Sequence, residues 1–141
     1  MLMGLLDRFF RKTPKRNKDT GTVLERYCKS FFHAIDGIVY GLKYEHNMII
    51  ILIATIVSIV LGFLLEIELY EWLFVIIICG LIAATEMINS SIEATIDLIT
   101  TEKHPLAKIA KDTASSATLI LCIVALVGGI IIFIPKILLL I

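Results

Sequence analysis

Three long apolar stretches, separated by short polar segments, dominate the chain. Residues 48–65 carry no charge over 18 positions, which is the minimum length for a spanning helix. A second apolar helical pattern runs over 72–99, and a third over about 113–134, where Pro135 is expected to end it. The pattern therefore predicts an all-α integral membrane protein with three transmembrane helices and a polar connection over 100–111.

The segment before the first span has a different pattern. Over 23–45 apolar residues recur every three or four positions with charged residues between them, which predicts an amphipathic helix lying on the membrane surface. These apolar positions are Leu24, Tyr27, Phe31, Ile35, Ile38 and Leu42. Residues 1–22 are predicted to be a basic leader, either amphipathic on the membrane or disordered, rather than a cleaved signal peptide, because Asp7 and Arg8 interrupt the apolar residues. Residues 23–141 then form one membrane domain.

Composition supports this architecture, and the distribution of charge orients it. Hydrophobic residues make up 58% of the 141 positions, above the 45–50% or so of soluble proteins. Of 13 basic residues, nine precede Met48 and three lie between Thr100 and Asp112. Because basic residues favour the cytoplasmic side, the N-terminus and second loop are predicted inside and the C-terminus outside. Basic residues flank the spans, so no nucleic-acid partner is expected.

One face of the second helix carries acids and an amide. At roughly 100° per residue, Glu86, Asn89, Glu93 and Asp97 fall on the same side. An ionisable group facing lipid at membrane depth costs roughly 2.5–3.5 kcal/mol, and such groups normally face protein or water. We therefore expect this face to meet a divalent cation, a substrate or basic side chains.

The chemistry of these residues leaves several functions open. Carboxylates bind Mg²⁺, which often bridges to substrate phosphates, and phosphoryl transfer needs cations around the phosphate. The second loop offers Lys103, Lys108 and Lys111 for that purpose, although the chain has no glycine-rich nucleotide loop. A small oligomeric cation transporter or channel and a non-catalytic scaffold are the alternatives. A transporter would be expected to carry acids across the whole bilayer depth, whereas here they are confined to one half.

The segments 86–97 and 104–112 resemble the prokaryotic diacylglycerol kinase family, and the likeness extends over about 23–136. Segment 104–108 is most similar to the Gram-positive branch, whose members phosphorylate undecaprenol. The resemblance implies a lipid kinase of the bacterial inner (cytoplasmic) membrane that uses ATP and Mg²⁺. It also implies a homotrimer with active sites shared between subunits and a cytoplasmic active site.

The resemblance also implies roles for individual residues. Glu86 is expected to be the catalytic base that contacts the lipid hydroxyl, with Asn89 fixing the site geometry. Glu45 and Glu93 would hold Mg²⁺ and, through it, the ATP phosphates. Asp97 would support the loop, and Ser115 would contact the lipid. The remaining residues expected to bind ATP are Arg26, His33, Glu102, Lys103, His104, Lys111 and Asp112.

The lipid acceptor is the least determined of these expectations. The chain departs from the family at Asp36, where a basic residue is common, and at 48–51, where four apolar residues replace a stretch bearing Arg and His. A polyprenol has no ester groups for such donors to bind, so undecaprenol is predicted as the acceptor and diacylglycerol is the alternative.

Overall fold

The computed structural model describes residues 22–139, in which four α-helices follow one another and no strand occurs. They are α1 (Val23–Tyr44), α2 (His46–Leu64), α3 (Leu69–Ile99) and α4 (Pro105–Leu138). The last three are long and apolar enough to cross a membrane, which confirms the predicted fold class. The predicted leader lies outside the described residues, apart from its last position, Thr22.

The chain divides into two compact units, residues 1–36 and residues 37–141. In the first unit, α1 begins with a reciprocal pair of hydrogen bonds. The backbone N–H of Thr22 donates to Glu25 Oε2 (2.8 Å), and the N–H of Glu25 donates to Thr22 Oγ1 (3.4 Å). This capping arrangement satisfies backbone donors that the first helical turn leaves without partners.

In the second unit, α3 lies between α2 and α4 and packs against both. Ile67, Val75 and Ile132 form the buried core at the end of the bundle where α2 turns into α3. The turn itself is closed by hydrogen bonds from Glu66 N to Phe63 O (3.4 Å) and from Ile67 N to Gly62 O (3.1 Å). Both satisfy carbonyl groups of the last turn of α2.

The fourth helix corrects two expectations. It begins at Pro105 rather than near residue 113, so the polar connection is Thr100–His104 only. Pro105 needs no N–H in the first turn, and the imidazole Nδ1 of His104 accepts a hydrogen bond from Leu106 N (3.2 Å). Pro135 lies inside the helix instead of ending it.

The helix tolerates Pro135 because only one turn follows it. Proline removes one intrahelical hydrogen bond, but the next residue is tied to the neighbouring helix. The Lys136 Nζ lies 3.2 Å from Glu71 Oε2, and both side chains are largely buried. Glu71 Oε2 also accepts from Glu68 N (2.7 Å) at the start of α3. Glu71, in the first turn of α3, therefore has a structural role.

Close packing of α3 on α4 depends on a glycine. A Cβ built on Gly128 would lie 2.1 Å from Cζ of the Phe74 ring, whereas one built on Gly129 would meet nothing closer than Phe133 Cδ2 at 3.8 Å. A side chain at Gly128 therefore requires the aromatic ring to move, and one at Gly129 does not.

We predict that Gly128→Ala lowers the free energy of unfolding by about 1–3 kcal/mol, the usual cost of overpacking. Gly129→Ala is the matched control, because it makes the same change in helix propensity on the next residue. Both are measured by loss of helical circular dichroism in mixed micelles with increasing denaturing detergent. Equal stability of the two variants would show that Phe74 does not restrict position 128.

Candidate active site

Glu86 and Asn89 are the two buried polar residues of the described chain, with exposed fractions of 3% and 5%. Both lie on α3, one helical turn apart, on the face that the sequence pattern identified. A charge buried in apolar surroundings is tolerated only when it is hydrogen-bonded or paired. The contacts of Glu86 and Asn89 therefore define the site.

Glu86 is held by an amide from the neighbouring helix. Asn47, at the start of α2, donates from Nδ2 to Glu86 Oε1 over 2.8 Å. The bond joins residues 39 positions apart in the chain, so it forms only when α2 and α3 pack as a hairpin. A hydrogen bond to a charged group contributes about 1.5–3 kcal/mol, and this one fixes the direction in which the carboxylate points.

Asn89 contacts the next acid along the face. Its Nδ2 donates to Glu93 Oε1 over 3.2 Å. Its Oδ1 is buried and has no hydrogen-bond partner among the described residues. An unsatisfied buried acceptor costs about 1–3 kcal/mol. This oxygen is therefore suited to a ligand that donates a hydrogen bond or carries positive charge.

A cavity of about 220 Å³ opens beside Glu86, bounded by three helices. Its polar walls come from Glu86, Asn47, Ser115 and Thr118, and the rest of the lining is mostly aliphatic. The remaining lining residues are Ile50, Ile51, Leu119 and Cys122. The lining thus combines polar and apolar groups, and it includes both of the predicted lipid-contacting residues, Glu86 and Ser115.

A second cavity, about 680 Å³, surrounds the connection between α3 and α4. Five of the residues expected to bind ATP line it, together with Asp97 and Lys108. The five are Glu102, Lys103, His104, Lys111 and Asp112.

Two ion pairs order the charges around this second cavity. Lys111 Nζ on α4 lies 2.5 Å from Asp97 Oδ1 on α3, which ties the two helices together beside the loop. Lys108 pairs with Asp112 one turn along α4. The cavity therefore presents both positive and negative groups at an exposed surface, a mixture suited to a phosphate-bearing ligand accompanied by a cation.

The other predicted residues lie elsewhere. Glu45 occupies the break between α1 and α2, where its backbone N–H donates to Gly41 O (2.9 Å). Arg26 and His33 are exposed on α1 in the first unit, and His33 Nδ1 lies 3.9 Å from Asp36 Oδ2. Among residues 22–139, no three His, Cys, Asp or Glu side chains come together as a metal site.

The donor chemistry nevertheless fits Mg²⁺. Glu45 and Glu93 supply carboxylate oxygens, and the unpartnered Oδ1 of Asn89 lies next to Glu93. Oxygen ligands of this kind bind Mg²⁺, which commonly takes only one or two protein carboxylates and completes its shell with water and substrate phosphates.

The sequence analysis gave no role to Asn47 or Thr118, although both line the cavity beside Glu86. One signal could have identified Asn47. It stands about 20 residues before the turn between α2 and α3, and Glu86 stands about 20 residues after it, so an antiparallel hairpin places them at the same level. Thr118 had no comparable signal, because threonine is common within apolar helices.

Comparison with known proteins identifies the family of the chain. Residues 32–133 match the family described as prokaryotic diacylglycerol kinase. The chain belongs to this family. It is therefore a membrane lipid kinase, and its phosphoryl donor is ATP.

Individual relatives carry two different names. The undecaprenol kinase of Bacillus subtilis is 38% identical over 120 residues, which are 85% of this chain and 98% of that protein. The diacylglycerol kinase of Helicobacter pylori strain J99 is 43% identical over 96 residues, 68% of this chain and 75% of that protein. A diacylglycerol kinase of Pseudomonas aeruginosa is 33% identical over 96 residues, 68% of this chain and 78% of that protein.

We predict that Asn47→Ala lowers kcat/KM for the lipid by about tenfold or more, because Glu86 loses a hydrogen bond of about 1.5–3 kcal/mol to its charged form. His46→Ala is the control, since His46 is the exposed neighbour of Asn47. Initial rates of phosphate transfer in vesicles measure both. If the two variants were equally active, the contact between Asn47 and Glu86 would have no part in turnover.

Proposed function

We propose that this protein transfers the γ-phosphoryl group of ATP to the hydroxyl of a membrane lipid alcohol in an Mg²⁺-dependent reaction, with undecaprenol as the preferred acceptor. The observation that carries the proposal is the buried Glu86, held by Asn47 in a cavity lined by both polar and apolar groups. A lipid alcohol has the same combination, with one hydroxyl on a long apolar chain. Residues 23–141 would form the kinase domain.

Glu86 is suited to act as the general base. It lies in the cavity that would receive the lipid hydroxyl, and its Oε1 is already held by Asn47. As the hydroxyl oxygen attacks phosphorus, the Glu86 carboxylate takes its proton and ADP departs with the electrons of the broken bond. A positioned base contributes about 10²–10⁴-fold to rate. Asn89, one turn further along α3, would keep this geometry fixed.

The nucleotide would lie toward the second cavity, which borders the same α3 helix. Lys103 and Lys111 place positive charge there, and Asp97 holds Lys111 in position. Glu102, His104 and Asp112 line the same space and would contact the nucleotide. Arg26 and His33 of α1 would also contact ATP, and only the family resemblance supports these two contacts.

Glu93 and Glu45 would hold the metal ion and, with it, the phosphates. When bound, Mg²⁺ neutralises charge on the transferring phosphoryl group and on the leaving ADP. The contact from Asn89 to Glu93 keeps one carboxylate oxygen of Glu93 directed along the face, so Asn89 would help to position this metal ligand.

Charge supports the proposed arrangement in the membrane, and the family resemblance supports the proposed assembly. Basic residues at the N-terminus and in the loop before α4 favour a cytoplasmic active site with the C-terminus outside, in a bacterial inner membrane. From the resemblance, the working unit would be a homotrimer in which neighbouring chains share active sites.

Two features support undecaprenol over diacylglycerol. The first is the similarity over almost the whole length of the Bacillus subtilis protein. The second is that Ile50 and Ile51 line the cavity beside Glu86 with aliphatic groups, which offer no donor to ester carbonyls. Diacylglycerol remains the alternative acceptor because two of the compared relatives carry that name.

The experiment that tests this function is a competition between the two lipids. Purified protein in vesicles receives radiolabelled ATP, Mg²⁺ and equal mole fractions of undecaprenol and dioleoylglycerol. We expect both Mg²⁺-dependent transfer and the higher kcat/KM for undecaprenol. A higher value for dioleoylglycerol would reverse the acceptor assignment, and no transfer to any lipid alcohol by folded protein would contradict the kinase function itself.

Exchanging single carboxylates should separate the chemical step from nucleotide binding. Glu86→Gln is expected to reduce kcat by about 10²–10⁴-fold, the contribution of a general base, with the Kd for MgATP nearly unchanged. Glu93→Gln and Glu45→Gln should raise that Kd. Glu68→Gln, at the opposite end of α3, is the control. Near-normal turnover by Glu86→Gln would assign the base to another group.

Mixing inactive chains tests whether sites are shared. If Glu45 of one chain completes the site containing Glu86 of another, oligomers that combine Glu45→Gln chains with Glu86→Gln chains contain some intact sites. At an ATP concentration that saturates only the wild-type site, we expect the mixture to recover a measurable fraction of wild-type activity, while each variant alone stays far below it. Mixed oligomers verified by two affinity tags but without recovered activity would place each site within one chain.

A further inference from the structure

The hydroxyl of Thr118 has an unusual position in α4. Its Oγ1 is buried and has no hydrogen-bond partner among residues 22–139. Several other helical hydroxyls donate back to a carbonyl of their own helix, among them Thr55 to Ile51 O (2.8 Å), Ser91 to Met87 O (3.0 Å) and Ser116 to Thr113 O (2.7 Å). Such internal bonds are the usual solution for Ser and Thr inside helices. Thr118 lacks this bond. Ser90 Oγ lacks a partner as well, but Ser90 does not line the cavity beside Glu86.

The orientation of this hydroxyl carries a cost that the chain itself does not offset. A buried donor without a partner destabilises the fold, and valine would fill the same volume without that cost. Thr118 lines the cavity beside Glu86, so a ligand in that cavity is the available partner. Ser115 and Cys122, which also line the cavity, lie on the same face of α4, one turn to either side of Thr118.

The hydrogen-bonding capacity of an alcohol matches two groups that line the cavity, the carboxylate of Glu86 and the hydroxyl of Thr118. An alcohol oxygen donates one hydrogen bond and accepts up to two. An ionised Glu86 can only accept, so it takes the proton of the alcohol and leaves the oxygen lone pairs without a donor. The Nδ2 of Asn47 already donates to Glu86 Oε1. Two hydroxyls of α4 line the cavity, those of Ser115 and Thr118, and the buried, unpartnered Thr118 Oγ1–H can supply this donor.

We propose that Thr118 is a substrate-binding residue whose hydroxyl donates a hydrogen bond to the acceptor oxygen of the lipid alcohol. This inference rests on the proposed function of the Glu86 cavity. As the lipid O–H bond breaks and its proton moves to Glu86, negative charge builds on the oxygen until the new O–P bond forms. The Thr118 proton stays on Oγ1 throughout, and its bond strengthens as that charge develops.

The contact is to the hydroxyl, which both classes of acceptor possess, and not to the rest of the lipid. Thr118→Val should therefore lower kcat/KM for undecaprenol and for dioleoylglycerol by the same factor, about three- to tenfold for one neutral hydrogen bond. The KM for ATP should not change. Thr118→Ser, which keeps the hydroxyl, should recover most of the loss.

Two further comparisons distinguish the loss of the Thr118 hydroxyl from a change in packing. Thr55→Val makes the same substitution in α2, where the hydroxyl bonds to its own helix, and should leave the rate unchanged. Thr118→Ala and Thr118→Ser differ by one hydroxyl only, so their ratio gives the same contrast if valine disturbs α4. Circular dichroism and the elution volume of the purified protein establish that each variant is folded.

The outcomes separate this inference from the proposed function. Transfer by the wild-type protein with equal activities of Thr118→Val and Thr118→Ser would overturn the role of Thr118 and leave the kinase function intact. A loss for one lipid only would also overturn it, because the hydroxyl is common to both. Absence of transfer by the wild-type protein would contradict the proposed function first.

Discussion

The burial of one carboxylate among apolar helices is the constraint on which the rest of this structure depends. Glu86 is 3% exposed, and an unpaired charge at such a position would destabilise the fold by several kcal/mol. The amide of Asn47 satisfies one of its oxygens, which requires α2 to pack on α3 at one particular level. The same contact directs the carboxylate toward the cavity, so a condition for stability also positions the reactive group.

The opposite end of the bundle supplies the rigidity that this arrangement needs. There Ile67, Val75 and Ile132 form the core, Gly128 admits the ring of Phe74, and Lys136 pairs with Glu71. Helices in lipid gain little from burying apolar surface against one another, so small residues and polar contacts carry much of their association. The core end can therefore stay fixed while the end near Glu86 accepts substrates.

The sequence predicted the polar face of α3 because helical periodicity alone aligns Glu86, Asn89 and Glu93. It also predicted three spans, since runs of apolar residues of that length have few other uses. The predicted bounds of α4 were wrong at both ends. Pro135 is a helix breaker by local rules, but one turn follows it and Lys136 anchors that turn to Glu71, a contact between distant segments.

The contents of the cavity could not be predicted for a similar reason. Asn47, Glu86 and Thr118 come from three different helices, and their convergence depends on rotation and level of the helices, which periodicity does not determine. The unpartnered state of Thr118 Oγ1 and Asn89 Oδ1 is likewise a property of packing. Resemblance to a family assigned roles to Glu86 and Ser115, but it gave none to Asn47 or Thr118.

MgATP is proposed to bind at the end of α3 that carries Asn89 and Glu93, far from Trp72. Paramagnetic broadening by Mn²⁺ with a non-hydrolysable ATP analogue tests it directly, because the side-chain signals of Asn47, Asn89 and the single tryptophan can be assigned by mutation. Trp72 and Asn89 are separated by ~25 Å along the helix. If MgATP binds near Asn89, the Asn89 signal will be lost and the Trp72 indole signal will persist. Broadening of Trp72 with Asn89 unaffected, at saturating analogue, would contradict it.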